Sequence, residues 1–356
     1  MNNGNIVNDF RIKQSLETIQ KLQANKNKII IVSHLGRPTE GVYEESLSLK
    51  PICKYLSALL ERDIKFFNSF RDNINFEDYE IAMLENVRFN TGEKSSNSDL
   101  SKAYASLADY FVFDAFGVAH RKESSTFGVS EYLKTYPGLN ISNEIHTINQ
   151  LINEDSRPMT IIISGAKVST KLIVIQKLLA KCDFMILGGG ILNTFLKAKG
   201  NEIGNSLYEE DLVNEAKNIL SSDFSSKIIF PIDLSCESES KPKNIDVSNI
   251  SKNDIIFDVG EKSLEHIKSI INKSAAIFWN GPLGYVEKEP FDRGTIELAK
   301  IIAEHNCFSI IGGGDTLPII ENLNLQSQFS CLSTGGGSLL TYLEGGDLPI
   351  LDKLDL

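Results

Sequence analysis

The feature that most narrows the fold is a series of short, continuous apolar runs rich in β-branched residues. They span residues 28–33, 64–68, 81–85 and 110–114, then 159–164, 184–187, 227–231, 255–258, 275–279, 308–311 and 330–333. Nearly every glycine-rich or ionic cluster follows a run, though not every run ends in a cluster. A run that is apolar at every position predicts a strand buried on both faces, as in parallel sheets. Segments such as 209–220 and 295–304 carry helical periodicity between the runs. Strand and helix in alternation predict an α/β fold with right-handed crossovers. In such sheets ligands bind just past the carboxyl ends of the strands, which is where the clusters fall.

At 356 residues the chain exceeds what one hydrophobic core usually supports, so two domains are expected. The best boundary is Glu154-Asp155-Ser156-Arg157-Pro158, a polar break closed by proline after a helical stretch at 145–152. Domains at 1–154 and 155–343 result, with a tail at 344–356. A net charge of −11 argues against nucleic-acid and membrane-surface partners, both of which need a basic face. The five cysteines are scattered, odd in number and never form a CxxC pair, which argues against a disulfide framework or zinc ribbon and fits a reducing cytosol. The opening Met1-Asn2-Asn3-Gly4 has no apolar signal core, and no run approaches the ~20 apolar residues that span a bilayer. A soluble, cytoplasmic protein is expected.

Three clusters in the first part carry arginine. His34-Leu35-Gly36-Arg37-Pro38 comes after one predicted strand, Leu84-Glu85-Asn86-Val87-Arg88-Phe89 after a second, and Asp114-Ala115-Phe116-Gly117-Val118-Ala119-His120-Arg121 after a third. A single arginine is more often a surface ion-pair partner than a ligand residue. Three like charges at equivalent strand ends predict a small polyanion that relieves their repulsion. His120 reads equally well as a packed histidine and receives no role.

The second part carries glycine and lysine instead. Ser164-Gly165-Ala166-Lys167-Val168-Ser169-Thr170-Lys171 is expected to run from strand into helix, with Lys167 and Lys171 on one helical face. Walker A spacing is absent. Gly312-Gly313-Gly314-Asp315-Thr316 precedes Leu317-Pro318, so a helix capped by Thr316 is expected there. Free backbone N–H groups in that loop would bind phosphate, and Asp315 could hold the magnesium that accompanies it. Ser333-Thr334-Gly335-Gly336-Gly337-Ser338 and Gly188-Gly189-Gly190 repeat the arrangement. None reads GxGxxG with an acidic strand end ~20 residues on, which disfavours a dehydrogenase. Trp279-Asn280-Gly281-Pro282-Leu283-Gly284 reads as a tight turn after a buried strand, with the only tryptophan in the core.

Taken in order, HLGRP, LENVRF, DAFGVAH, GAKVSTK, WNGPLG, GGGDT and STGGG resemble the phosphoglycerate kinase family, from Met1 to about Leu351. The resemblance is to its bacterial type, through the STK ending and Asn193. It implies two parallel-sheet, Rossmann-like domains facing a cleft and joined by a hinge helix, in a monomer whose tail returns to the first domain. It implies reversible phosphoryl transfer between 1,3-bisphosphoglycerate and ADP, giving 3-phosphoglycerate and ATP, with Mg2+ bound beside the nucleotide. By resemblance, 3-phosphoglycerate falls to His34, Leu35, Gly36, Arg37, Arg88 and Arg121, and Arg11 takes the catalytic arginine position. Lys167 and Lys171 would contact the moving phosphoryl group and nucleotide phosphates. Gly165, Ala166, Gly189 and Pro282 would line the adenine site, Asn280 would hold phosphates and Glu287 the ribose. Asp315 would ligate magnesium, and Gly313, Gly314, Thr316, Gly336 and Gly337 would surround the phosphates.

Some positions depart from the family pattern. The family opens with a buried strand resembling RxDxNVP whose Asp and Asn bind substrate. Here MNNGNIVNDFRIK aligns with the family segment just beyond that strand, so a start set downstream of the natural one is expected, with neighbouring strands left unpaired. Ser164 stands where glycine is common and Tyr285-Val286 where Val-Phe is usual. Two other readings remain: a related kinase for another phosphorylated carboxylate, and a silent nucleotide-binding paralogue. Retention of Arg11, Lys167, Lys171 and Asp315 argues against the second.

Overall fold

The computed structural model describes residue 6, residues 8–152 and residues 157–354; of the polar break expected at residues 154–158, residues 154–156 lie outside them. The chain forms two compact units, one running to Glu144 and joined by residues from Asp347 onward, the other Ile145–Gly346. The helix Leu139–Ile152 carries the chain from one into the other.

The first unit contains β1 (Ile29–Ile31), β2 (Ile64–Phe67), β3 (Ile81–Leu84), β4 (Phe111–Phe113) and β5 (Thr135–Pro137). All pairings are parallel, but the strands make two sheets, β1-β3-β2 and β4-β5. Among the described residues β1 therefore has a partner on one side only, and so has β4. This corrects the expectation that 28–33 is buried on both faces: only β3 is buried throughout, while Val32 beyond β1 is 37% exposed. The helix Phe10–Ala24 packs Ile19 into the β1 core, and its neighbour Thr18 donates a 2.5 Å hydrogen bond to Asp114 just past β4.

The second unit holds β6 (Met159–Ser164), β7 (Phe184–Gly188), β8 (Ile228–Ile229), β9 (Asp233–Ser238), β10 (Lys241–Asp246), β11 (Ile255–Val259), β12 (Ala276–Asn280), β13 (Phe308–Gly312) and β14 (Cys331–Ser333). Six of them form one parallel sheet in the order β14-β13-β12-β6-β7-β8. Its central strands β6 and β12 are buried at every position, as their continuous apolar runs predict. Trp279 is fully buried there, its indole N–H donating to the Gly281 carbonyl at 2.7 Å. One strand is not where parallel pairing was expected. β11 joins β9 and β10 in a separate antiparallel sheet. The segment at 209–220 opens as a 3-10 turn and becomes helical from Val213.

Candidate active site

In the first unit the arginine clusters occupy the ends of β1, β3 and β4, and the structure distinguishes among them by burial. Arg37 is exposed in the loop after β1, and Arg11 is exposed near the start of the helix Phe10–Ala24. Arg88 is only 5% exposed, in a 3-10 turn after β3 that Asn86 caps by accepting the Arg88 backbone N–H. Its guanidinium is engaged from within the protein: Nη1 donates to the Gly36 carbonyl at 2.8 Å and Nη2 to Glu123 at 3.2 Å. Arg121 is half-buried and donates through Nη1 to the same Glu123 oxygen at 3.3 Å. These contacts tie the ends of β1 and β3 and the segment after β4 into one cluster.

His34 sits among these cations. Burial, with the charges of Arg88, Arg121 and Arg11, drives its pKa down to about 4 against an opposing pull from Glu123. At neutral pH it is an uncharged imidazole, a hydrogen-bonding partner rather than a further cation. Asn86 anchors the loops by donating to the carbonyls of Leu35 and Leu47. Sequence reasoning did not single out Glu123, and it gave no role to His120, whose Nε2 accepts from Arg121 Nε at 3.2 Å. No motif announces Glu123; its role becomes visible only when the chain brings Arg88, 35 residues away, beside it. A cavity of about 190 Å3 between Tyr43, Asn68, Phe70, Asn86, Phe89 and Tyr104 is lined by none of the residues expected to hold substrate.

In the second unit the glycine clusters gather at the carboxyl ends of β6, β7, β12, β13 and β14. The expectation of two lysines on one helical face does not hold. The helix Leu172–Lys181 starts only after Lys171, and residues 165–171 form turns that leave Lys167 exposed and fold Lys171 inward. Lys171 Nζ donates to the Ser164 carbonyl at 2.5 Å and to Asn280 Oδ1 at 2.7 Å, linking the ends of β6 and β12. Burial lowers its pKa to about 8, and the charge of Asp315 works against that fall. Asn280 is itself buried and faces Lys171.

Neighbouring backbones explain some of the glycines and not others. A Cβ on Gly281, at φ +96°, would lie 2.2 Å from the Ser164 carbonyl oxygen, and one on Gly190 would lie 2.3 Å from that of Ala166. These loops pack directly on one another. Gly314 and Gly336, by contrast, face open space. Thr316 occupies the N-cap position of the helix Leu317–Asn322 without a side-chain cap bond, contrary to expectation, and its hydroxyl is buried with no partner among the described residues. Asp315 beside it is exposed, as is Glu287 beyond β12. Ser164, one of the departures, donates its hydroxyl to the Pro282 carbonyl. Tyr285, another, stacks on Phe257 with ring centroids 5.5 Å apart.

The family model described as phosphoglycerate kinase matches residues 1–346. A phosphoglycerate kinase from Francisella philomiragia is 41% identical over 358 residues, covering 99% of this chain and 91% of that protein. One from Francisella tularensis subsp. novicida has the same identity and coverage. Among solved structures, phosphoglycerate kinase from Coxiella burnetii superposes with a TM-score of 0.87 at 38% identity, covering 99% of this chain and 92% of that one. The enzyme from Pyrococcus horikoshii matches at the same TM-score and coverage with 28% identity.

Proposed function

The chain belongs to the phosphoglycerate kinase family, an ATP-dependent phosphotransferase with a carboxyl acceptor, and from that premise we propose how its two units divide the work. The reaction moves a phosphoryl group between 1,3-bisphosphoglycerate and ADP, yielding 3-phosphoglycerate and ATP. In our reading the unit up to Glu144 holds 3-phosphoglycerate and the unit Ile145–Gly346 holds the nucleotide. The carrying observation is the contrast between them. The arginine cluster, with an uncharged His34, lies in the first unit, whereas Lys171, Asp315 and the open glycines lie in the second.

Phosphoryl transfer through a loose transition state needs positioning and positive charge more than a proton-transferring side chain. Arg37, Arg88 and Arg121, with His34, Leu35 and Gly36, are assigned to the 3-phosphate and carboxylate, and exposed Arg11 to the reacting end of the substrate. Lys171 and Lys167 are assigned to the moving phosphoryl group and nucleotide phosphates. Gly313, Gly314, Thr316, Gly336 and Gly337 would approach the phosphates through backbone N–H groups and the Thr316 hydroxyl, whose buried oxygen has no partner among the described residues. Gly165, Ala166, Gly189 and Pro282 would face the base, Glu287 the ribose, and Asn280 would steady Lys171.

Magnesium fits the donor set. It binds nucleotide phosphates with one or two carboxylates from the protein and keeps several waters, and Asp315 is an exposed carboxylate beside the open Gly314. Asp315 would hold it; bound there, the ion neutralises phosphate charge. The protein acts as a monomer in the cytoplasm in this reading; no helix among the described residues is long and apolar enough to cross a membrane.

The test is a steady-state assay of ATP consumption dependent on 3-phosphoglycerate, with other phosphorylated carboxylates alongside. Turnover selective for 3-phosphoglycerate supports the assignment. Turnover with another acid in its place favours the related-kinase reading, and nucleotide binding without turnover favours the silent paralogue.

A further inference from the structure

We propose that Glu123 is a positioning residue, whose single carboxylate oxygen ties the guanidinium groups of Arg88 and Arg121 together and thereby sets the grip on the phosphorylated carboxylate. This rests on the reading that those arginines hold 3-phosphoglycerate.

Glu123 Oε1 accepts from Arg88 Nη2 at 3.2 Å and from Arg121 Nη1 at 3.3 Å. The Glu123 side chain is 9% exposed and that of Arg88 6%, so solvent weakens their contact little. The carboxylate is also held in place from behind. Glu123 caps the turn Ser124–Gly128 through a reciprocal pair of bonds with Thr126, and its backbone N–H donates to Thr126 Oγ1 at 3.2 Å.

Each arginine has another anchor that does not involve its companion. Arg88 Nη1 donates to the Gly36 carbonyl at 2.8 Å, and Arg121 Nε donates to His120 Nε2 at 3.2 Å. Among the described residues Glu123 is what joins the two guanidinium groups to each other. After these contacts Arg88 Nε remains buried and without a partner among the described residues, a donor left over by the internal network.

Two cations held this close repel, and recognition of carboxylate or phosphate by arginine depends on the angle of the planar fork. A carboxylate shared between them lowers the local charge by one and fixes their spacing before substrate arrives. The nearby Glu93 does not join them: its Oε1 is taken by the Ser125 hydroxyl and backbone N–H, and its Oε2 makes no hydrogen bond among the described residues.

The test uses the full chain carrying Glu123→Ala, Glu123→Gln, Glu123→Asp or Arg88→Ala, with calorimetric titration of 3-phosphoglycerate and of magnesium–ADP, steady-state kinetics and thermal melting. Losing a hydrogen bond to a charged group corresponds to roughly 10-fold or more in affinity. Glu123→Ala should therefore raise Kd and KM for 3-phosphoglycerate by about that factor while leaving magnesium–ADP affinity unchanged. Glutamine, whose amide oxygen can accept from both groups although it does not lower the local charge, should recover part of the loss. Aspartate, one methylene too short to reach both, should not, and it decides the matter if the alanine variant does not fold. A merely structural role would lower the active fraction and hence kcat, leaving KM as it was. Unchanged KM in both the alanine and aspartate variants would overturn the proposal. If Arg88→Ala also binds 3-phosphoglycerate normally, the reading of the arginines has failed as well; if it binds weakly, only the role of Glu123 has.

Discussion

Lys171 shows how one residue's surroundings shape its chemistry. Its ammonium is anchored between the ends of β6 and β12, and burial has brought its pKa down to about 8. If its charge stabilises the moving phosphoryl group, the free enzyme loses that charge as pH rises through about 8. The value of kcat/KM for magnesium–nucleotide should then fall on the alkaline side with a pKa near this one, since that ratio reports the free enzyme. Lys171→Ala should abolish that limb and lower kcat by roughly 100-fold or more, as for other preorganised electrostatic contacts. Near-normal turnover in the variant would take Lys171 out of the chemistry.

Glu93 makes a different residue-scale prediction, about stability. It is fully buried and burial raises its pKa from 4.5 to about 7. Between those values the folded state keeps a proton that the unfolded chain has released. Its contribution is therefore complete below about pH 4.5 and is lost as pH rises through about 7. Each unit of such a shift corresponds to about 1.4 kcal/mol. Asp258, also raised to about 7 by burial, acts in the same direction, so removing Glu93 alone will not flatten the profile. Glu93→Gln should gain melting temperature relative to the parent at pH 8 and not at pH 5. An equal difference at both pH values would contradict this account.

Elements were legible wherever their residues obey a single rule. The runs that became β3, β6 and β12 are continuously rather than alternately apolar because both faces are covered, and their ends are correctly marked by the glycine-rich and ionic clusters. β9 and β10 were not legible. β10 reads KPKNID, with four exposed positions, because it is a sheet edge, and lysine and proline at an edge look like a loop in sequence. The lysine segment failed for a related reason: spacing of four is evidence for a shared face only inside a helix, and the helix begins one residue later. Motif reading found the arginines but not the Glu123 that joins them, because that contact connects segments far apart in the chain.

The glycine loops give a prediction at this scale. Gly281→Ala should be destabilising, by about 1–3 kcal/mol, because φ is +96° and the new Cβ meets the Ser164 carbonyl. Gly314→Ala meets no protein atom and should melt like the parent, yet should weaken nucleotide binding if phosphate approaches the backbone there. Parallel melting and nucleotide titration separate the two cases. Loss of stability at Gly314, or unchanged nucleotide affinity there, would leave no distinction between packing glycines and ligand glycines.

On the scale of the whole molecule, the two units differ in the kind of cation they carry. Arg11, Arg37, Arg62, Arg71, Arg88 and Arg121 belong to the unit up to Glu144. The other unit has Arg157 and Arg293, and both are committed to ion pairs, with Asp183 and Glu261. The cation beside its glycine loops is instead Lys171, a compact charge suited to phosphate, whereas the planar arginine fork suits a carboxylate and phosphate held together. The central claim is that each unit binds its own ligand through its own residues. Calorimetric titration of Arg37→Ala and Asp315→Ala, each with 3-phosphoglycerate and with magnesium–ADP, tests it most directly. Arg37→Ala should weaken 3-phosphoglycerate and spare magnesium–ADP, and Asp315→Ala should do the reverse; losses of similar size for both ligands in either variant would contradict the division.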